Sequence, residues 1–210
     1  MAKNFAEIAF TEEVKKLQEL YGSRSTYARM EESAYDDGLG EDESAFIRER
    51  DSFYLATTGE NGYPYIQHRG GPKGFVKVID AHTLGFVDFR GNKQYISVGN
   101  IATNPKVSIF MMDYARRTRL KLYANVRIIL PDDDPALFAA LDPHDYPHKP
   151  ERMMVFAIEA FDWNCPQHIT PRYTAEEVAK AWEKQTAHVA ALEQEVKRLR
   201  EELNALQHPL

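Results

Sequence analysis

Two cations and a glycine stand where a predicted strand gives way to a predicted helix. Residues 88–94 read D-F-R-G-N-K-Q, directly after the apolar run at residues 84–87. The first backbone N–H groups of a helix lack partners within it, and the helix dipole favours negative charge there. Arg90 and Lys93 would add formal positive charge. The junction therefore suits a bound anion, although a solvated turn with its cations in water is the simpler interpretation of this stretch alone.

A second cationic stretch that contains glycines lies one hairpin upstream. Residues 67–77 read Q-H-R-G-G-P-K-G-F-V-K and include Arg69, Lys73 and Lys77. Glycines let a backbone approach a ligand closely, and the cations favour an anionic group. Two neighbouring strands would thus bring cationic ends to one place. We expect a ligand whose phosphate is held there, with a flat apolar body lying over Phe75 and Val76.

Other reactive residue types give weaker signals. The chain lacks a P-loop, a G-x-G-x-x-G, an H-E-x-x-H and a G-x-S-x-G motif. The loop at 142–148 could hold a metal through two histidines and an aspartate, but its prolines and irregular spacing favour a surface loop. Cys165 is a nucleophile with His168 nearby or a small buried hydrophobe. His68 is a candidate proton donor or a structural histidine. We therefore assign no catalytic residue and no metal ligand.

Composition excludes several classes of protein. The 210-residue chain carries a net charge of −6, which argues against recruitment by nucleic acid or by an anionic membrane. With a single cysteine, it can form neither an internal disulfide nor a multi-cysteine zinc site. No apolar stretch approaches the roughly 20 residues that span a bilayer, and the first residues lack the apolar segment of a signal peptide. We expect a soluble, cytoplasmic protein without nucleic-acid or membrane partners.

The hydrophobic pattern of the central chain predicts strands joined by short hairpins. Residues 52–58 are rich in aromatic and β-favouring types, and G-E-N-G at 59–62 supplies a tight turn. Few helices and many hairpins favour a mainly β fold, an antiparallel barrel, over alternating strand–helix units. The expected strands are 52–58, 63–69, 75–80, 84–89, 106–114, 118–130 and 152–164, and the expected helices are 92–103 and 135–141.

The first 50 residues look helical and polar. Thr11 can cap a helix that Gly22 ends, and Glu12 and Glu13 lie in its first turn. Residues 35–42 read as an acidic loop, and a short helix at 44–50 leads into the strands. We expect this segment to form a helical arm on the mainly β body.

The C-terminal segment follows a heptad pattern. From residue 178 onward apolar residues recur in steps of four and three, and only Gln185 breaks the series. This spacing predicts a coiled coil, and a single amphipathic helix packed on the barrel is the alternative. Valine at a positions with leucine at d positions favours two parallel strands. The apolar positions are Val178, Trp182, Val189, Leu192, Val196, Leu199, Leu203 and Leu206.

Three segments, taken together and in order, resemble one known family. They read Y-I-Q-H-R-G-G-P at 65–72, D-F-R-G-N-K-Q-Y at 88–95 and F-D-W-N-C-P-Q-H-I at 161–169. Their order around G-F-V-K-V and N-P looks like the FMN-binding split β-barrel of the pyridoxamine 5'-phosphate oxidase-like proteins, and more closely like a poorly characterised branch of them. The resemblance covers residues 45 to 173 by motif order.

The resemblance implies a homodimer with two FMN molecules at the subunit interface. The phosphate would be held by Arg90 and Lys93, the flavin ring would lie along residues 74–77, and residues 163–167 would reach the cofactor from the other subunit. The implied cofactor-binding residues are Arg69, Gly74, Phe75, Val76, Lys77, Arg90, Asn92, Lys93, Gln94, Trp163 and Gln167.

The resemblance also implies a function. We expect an FMN-dependent oxidoreductase that transfers electrons or hydride to or from an unknown partner. Residues 74–77 replace the arginine-led strand motif of true pyridoxamine phosphate oxidases, which argues against vitamin B6 oxidation itself. The alternatives are a non-catalytic flavin-binding storage or sensor protein whose tail recruits a partner, and a barrel with another cofactor, such as a deazaflavin or haem. The expected domains are an arm at 1–45, an FMN-binding barrel at 46–173 and a coiled-coil helix at 174–210.

Overall fold

The computed structural model describes residues 3–32, 37–163 and 166–207. The chain divides into two compact units. One comprises Met1–Asp113 and Arg117–His168, and the other comprises Tyr114–Arg116 and Ile169–Leu210. The N-terminal helices thus belong to the same unit as the sheet. The expected domain boundaries after residues 45 and 173 stay predictions.

Seven strands form one antiparallel sheet, which confirms the predicted mainly β, split-barrel fold. Their order in the sheet is β2-β1-β5-β6-β7-β4-β3, so β2 and β3 are its edges. Consecutive strands mostly pair as hairpins, whereas β7 returns to lie between β6 and β4. The strands are β1 (Ser52–Thr58), β2 (Pro64–Gly70), β3 (Lys77–Asp80), β4 (Thr83–Phe89), β5 (Lys106–Asp113), β6 (Thr118–Ile129) and β7 (Pro150–Trp163).

The first hairpin forms as its turn residues predict. Gly62 has φ +80° and donates its N–H to the Gly59 carbonyl at 2.8 Å, which closes the turn between β1 and β2. Because side chains alternate along a strand, this register fixes which residues of β2 face inward. The inward side chains of β2 are Tyr65, Gln67 and Arg69, opposite Thr57, Leu55 and Phe53 of β1.

Aromatic rings fill the centre of the barrel. Phe53 contacts Phe75, Phe86 and Phe156 with ring centroids 5.9, 5.4 and 6.5 Å apart. All four side chains are nearly inaccessible to solvent. Burial of rings of this size supplies much of the favourable free energy of folding. The core is therefore built from both halves of the sheet.

Two predicted elements begin later than expected. β3 starts at Lys77 and not at residue 75, because Gly74 (φ +74°) donates to the Arg50 carbonyl at 2.9 Å and holds the chain out of the ladder. The helix expected at 92–103 starts at Ile96. Lys93 and Tyr95 adopt positive φ values of 62° and 55°, which a helix cannot accommodate.

Seven helices lie among the described residues. Asn4 and Thr11 cap the first two through side-chain oxygens, and Gly22, as predicted, follows the second. The expected acidic loop is shorter than predicted, because the helix thought to begin at 44 begins at Glu41; Tyr35 and Asp36 lie outside the described residues. The helices are α1 (Phe5–Ala9), α2 (Glu12–Leu20), α3 (Arg24–Glu32), α4 (Glu41–Arg48), α5 (Ile96–Thr103), α6 (Pro135–Leu141) and α7 (Ala175–Gln207).

The C-terminal helix α7 is continuous over 33 residues. Its first turn is acidic, and the Thr174 hydroxyl accepts from the Glu177 N–H at 3.1 Å, while Glu177 accepts from the Thr174 N–H at 2.8 Å. This reciprocal pattern is a capping box. The structure does not describe the side chain of Leu206, the last apolar position of the predicted heptad pattern. No helix in the described part of the chain is long and apolar enough to cross a membrane.

Candidate functional site

A cavity of about 230 Å³ lies beside the cationic turn at residues 88–94. Its walls come from four elements: the inward face of β2, the end of β4, the following turn and the first turn of α5. One residue of β7, Glu151, completes it. The lining residues are Tyr65, Gln67, Arg69, Asp88, Phe89, Gly91, Asn92, Lys93, Gln94, Tyr95, Ile96, Ser97, Val98 and Glu151.

The turn before α5 is shaped by local hydrogen bonding. The Asn92 side-chain oxygen accepts from the Gln94 N–H at 3.2 Å, an arrangement that asparagine favours in turns. Positive φ at Lys93 and Tyr95 then turns the chain into the helix. Asn92, Lys93 and Gln94 therefore all line the cavity, as three of the predicted site residues.

The N-terminus of α5 faces this cavity without a side-chain cap. Ser97, the second helical residue, instead donates its hydroxyl to Gln67 Oε1 at 2.7 Å. The first N–H groups of the helix, at Ile96 to Val98, thus have no intrahelical acceptor. Such an end attracts an anion through its N–H groups and through the helix dipole.

A buried ion-pair network forms the floor of the cavity. Arg69 Nη1 lies 2.5 Å from Asp88 Oδ1, and Arg152 Nε lies 3.6 Å from Asp88 Oδ2. Burial raises the pKa of Asp88, and the two arginines partly offset that effect. Burial likewise lowers the pKa of Arg69, and Asp88 opposes it. Arg69 is therefore largely committed to Asp88.

Two atoms of this network, Arg152 Nε and Arg69 Nε, are left without a hydrogen-bond partner in the described part of the chain. Arg69 Nε is buried and has no hydrogen-bond acceptor among the described residues. A buried guanidinium N–H without an acceptor is costly unless a ligand or water supplies one. Arg69 lines the cavity, but protein atoms cover its Nε, so a ligand oxygen in the cavity does not reach that atom. The features of the cavity that fit a phosphate group are therefore the uncapped helix and Lys93.

Arg90 occupies a different place from Lys93. Its Nε lies 3.2 Å from Glu151 Oε1, which also accepts from the Tyr95 hydroxyl at 3.3 Å. Arg152 Nη2 lies 2.7 Å from Glu151 Oε2. Burial acts to raise the pKa of Glu151, but Arg152, Arg90 and Tyr95 outweigh it and lower that pKa. The two cations predicted to hold the phosphate are therefore separated: Lys93 lines the cavity, whereas Arg90 does not.

The predicted residues of the 74–77 segment lie outside the cavity. The Phe75 and Val76 side chains are 1% and 2% exposed in the core, so they cannot offer a surface to a flat ligand, and that expectation was wrong. The backbone of Gly74 to Lys77 and the partly exposed Lys77 side chain remain available for the predicted contact. The Phe75 ring lies 6.5 Å from that of Phe89, which does line the cavity, so this segment adjoins the site.

The late predicted residues are also distant from the cavity of their own subunit. Trp163 donates from Nε1 to Glu43 Oε1 at 2.7 Å and packs against Phe46 at 4.9 Å. Gln167 is exposed, and neither residue lines the cavity. Cys165, the candidate nucleophile, lies outside the described residues.

Two other candidates are placed away from the cavity. His68 lies on the outward face of β2, and its ring contacts Tyr54 at 5.6 Å. In the loop at 142–148, His148 and His144 lie 2.9 and 3.1 Å from Asp142. Among the described residues, no group of three or more histidine, cysteine, aspartate or glutamate side chains could hold a metal ion.

Sequence reasoning did not include several lining residues in the site. The period of two along β2 could have grouped Tyr65 and Gln67 with Arg69, because alternate residues share a face. Nothing in the sequence around Glu151 and Arg152 predicts that they lie near the site. They reach the site because β7 pairs with β4, where Arg152 lies opposite Asp88.

Comparison with solved structures finds several proteins that are similar to this chain. The chain resembles HupZ from Group A Streptococcus (16% identity, 64% of this chain and 100% of that chain, TM-score 0.48). It also resembles a protein from Clostridium acetobutylicum related to general stress protein 26 (16%, 65% and 94%, 0.43) and an FMN-binding protein from Syntrophomonas wolfei (14%, 70% and 97%, 0.41). No curated protein matches the sequence.

A family model supplies the decisive comparison. The model described as pyridoxamine 5'-phosphate oxidase matches residues 39–163, more than half of the chain. The match covers all seven strands, α5 and every residue that lines the cavity. The chain therefore belongs to the pyridoxamine 5'-phosphate oxidase family.

Proposed function

We propose that the protein binds FMN and acts as an FMN-dependent oxidoreductase. The observation that carries this proposal is the cavity at the start of α5, where an uncapped helix and Lys93 converge. Charge-assisted hydrogen bonds of this kind bind phosphate strongly. Family membership and the resemblance to an FMN-binding protein support flavin as the group that carries the phosphate.

The size of the cavity supports a ligand that extends beyond it. Pockets that enclose a whole drug-sized ligand usually measure about 300–1,000 Å³, and this cavity measures about 230 Å³. It suits the phosphate end of the cofactor, with the ring outside. The segment at 74–77 adjoins the cavity through Phe75 and Phe89, and its backbone is the surface that we assign to the ring edge.

Residues of this chain would hold and orient the cofactor, and the cofactor itself would supply the chemistry. When bound, FMN supplies hydride or single-electron transfer by itself. Lys93 and the first N–H groups of α5 would fix the phosphate. The ion pairs with Asp88 and Glu151 keep Arg69 and Arg90 in place. His68 points away from the cavity, so we assign it no proton-transfer role.

Reduction by a nicotinamide nucleotide tests the proposed activity. We expect the purified protein to bind FMN and its visible flavin absorption to bleach rapidly when NADH or NADPH is added without oxygen. Free FMN at the same concentration is the control, because its slow reduction sets the background. A bound flavin that neither donor reduces faster than free FMN would favour a storage or sensor protein instead.

We also propose a homodimer in which each cavity is completed by the other subunit. Trp163 and Gln167 do not line the cavity of their own subunit, so a role at the cofactor requires the partner's copy. An apolar strip on the outward face of β1, β2 and β5 supports such a contact. It comprises Ile66, which is 65% exposed and lies opposite Ala56, and, two residues further along the strands, Tyr54 of β1 opposite Phe110 of β5.

Substitution of Ile66 tests this interface. In a chain that ends at Tyr173, we expect a dimer that binds FMN, and we expect Ile66→Asp to convert it to a monomer that binds FMN at least tenfold more weakly. The side chain is exposed within the subunit, so the substitution should leave the unfolding temperature of the subunit nearly unchanged. Leu17→Asp, at another exposed apolar position, is the matched control. Sedimentation that shows a monomer before any substitution would refute this interface.

A further inference from the structure

The helix α7 carries an apolar stripe, interrupted only at Gln185, that is open to solvent. Seven large apolar side chains along it are each between 44% and 66% exposed. Single exposed apolar residues are ordinary, but an ordered series of this length marks an interaction surface. A helix of 33 residues is about 50 Å long. The exposed residues are Val178, Trp182, Val189, Leu192, Val196, Leu199 and Leu203.

We propose that two copies of α7 pair in parallel and in register as a two-stranded coiled coil. The stripe follows heptads, with Val189 and Val196 at a and with Leu192 and Leu199 at d. β-Branched residues at a with leucine at d favour two parallel strands. This inference concerns a second copy of this chain as partner, and it is independent of the proposed cofactor.

The charged residues beside the stripe favour the parallel arrangement. In a parallel pair each g residue faces the e residue five positions later on the other helix. Glu195 then faces Arg200, and His188 faces Glu193. Within the described part of the chain Arg200 makes no ion pair, whereas Arg198, on the outer side, pairs with Glu195 and Glu202 of its own helix. Arg200 is therefore available to a second copy.

An antiparallel pair of full overlap fits these charges less well. Facing positions would then be e with e and g with g, because one helix is reversed. Arg200 would lie opposite Ala179 or Thr186, neither of which is acidic. The parallel register thus gives this arginine an acidic partner, and the antiparallel register does not.

Cross-linking of the full-length protein tests the arrangement. Identical d residues face each other in a parallel pair, so we expect Leu199→Cys and Val178→Cys to form intermolecular disulfides between identical positions. In the antiparallel pair the two copies would be about 25 Å apart at position 199 and about 38 Å apart at position 178. Ala187→Cys, at f on the outer side, is the matched control. Wild-type protein, which contains Cys165, measures the background.

The expected result is at least tenfold more cross-link at positions 199 and 178 than at 187, mapped to identical peptide pairs by mass spectrometry. In the Leu199→Cys chain, Arg200→Glu should slow the cross-link severalfold, and Arg200→Lys should not. Equal yields at 199 and 187 would overturn the proposal. So would a disulfide between Val178→Cys and Leu203→Cys chains in a mixture, because only an antiparallel pair brings those positions together. Loss of the cross-link with intact flavin binding contradicts the tail arrangement alone.

Discussion

Replacing Lys93 by alanine is expected to weaken FMN binding at least tenfold and to leave riboflavin binding almost unchanged. Lys93 lines the cavity at the uncapped start of α5, where a phosphate would lie. A hydrogen bond to a charged group contributes about 1.5–3 kcal/mol, which corresponds to roughly 10- to 150-fold in affinity. Riboflavin lacks the phosphate, so its affinity should not change when the Lys93 side chain is removed. Titration of each flavin by fluorescence gives both dissociation constants.

Two further substitutions make this result specific. Lys106→Ala removes an exposed lysine outside the cavity and should change neither affinity. Arg90→Ala should reduce FMN affinity less than Lys93→Ala, because Arg90 pairs with Glu151 and does not line the cavity. If Lys93→Ala weakened both flavins equally, the phosphate would not lie at this lysine, and the cavity would need another occupant.

Replacing Asp88 by alanine is expected to lower the free energy of unfolding by about 3–5 kcal/mol. The substitution leaves Arg69 and Arg152 buried with no carboxylate between them, and removal of one partner from a buried ion pair costs about this much. Burial raises the pKa of Asp88, so the pair itself adds little net stability. The loss comes chiefly from Arg69, because Arg152 keeps its ion pair with Glu151. Urea unfolding followed by circular dichroism measures the change.

The same network predicts that substitutions of its members lower the free energy of unfolding by different amounts. Arg69→Met should cost less than Asp88→Ala, because Asp88 keeps Arg152 at 3.6 Å and methionine fills the space of the arginine stem. Asp132→Ala, which removes an exposed carboxylate, should stay within about 0.5 kcal/mol of the wild type. A cost for Asp88→Ala no larger than that of Asp132→Ala would mean that the network is not held as the structure describes.

Local chemistry was enough to predict the hairpins and the sheet. Glycines at 59 and 62 specify the first turn, and the period of two along the strands specifies which face is buried. The 3.5-residue repeat of α7 is likewise a local property, so the sequence alone predicts its apolar stripe. The cationic turn at 88–94 could also be located, because the end of a strand, a turn and the start of a helix are contiguous there.

The position of each cation in that turn depended on distant residues. Arg90 and Lys93 look equivalent in the sequence, but β7 brings Glu151 beside Arg90 and leaves Lys93 to the cavity. Phe75 looked like part of a ligand surface, but the hydrogen bond from Gly74 to Arg50 turns its ring into the core. Turn chemistry and periodicity act between near neighbours, so the sequence determined the elements and the motif by itself. Pairing between strands far apart in the chain decided which side chains meet, because a partner such as Glu151 leaves no trace in the local pattern around Arg90.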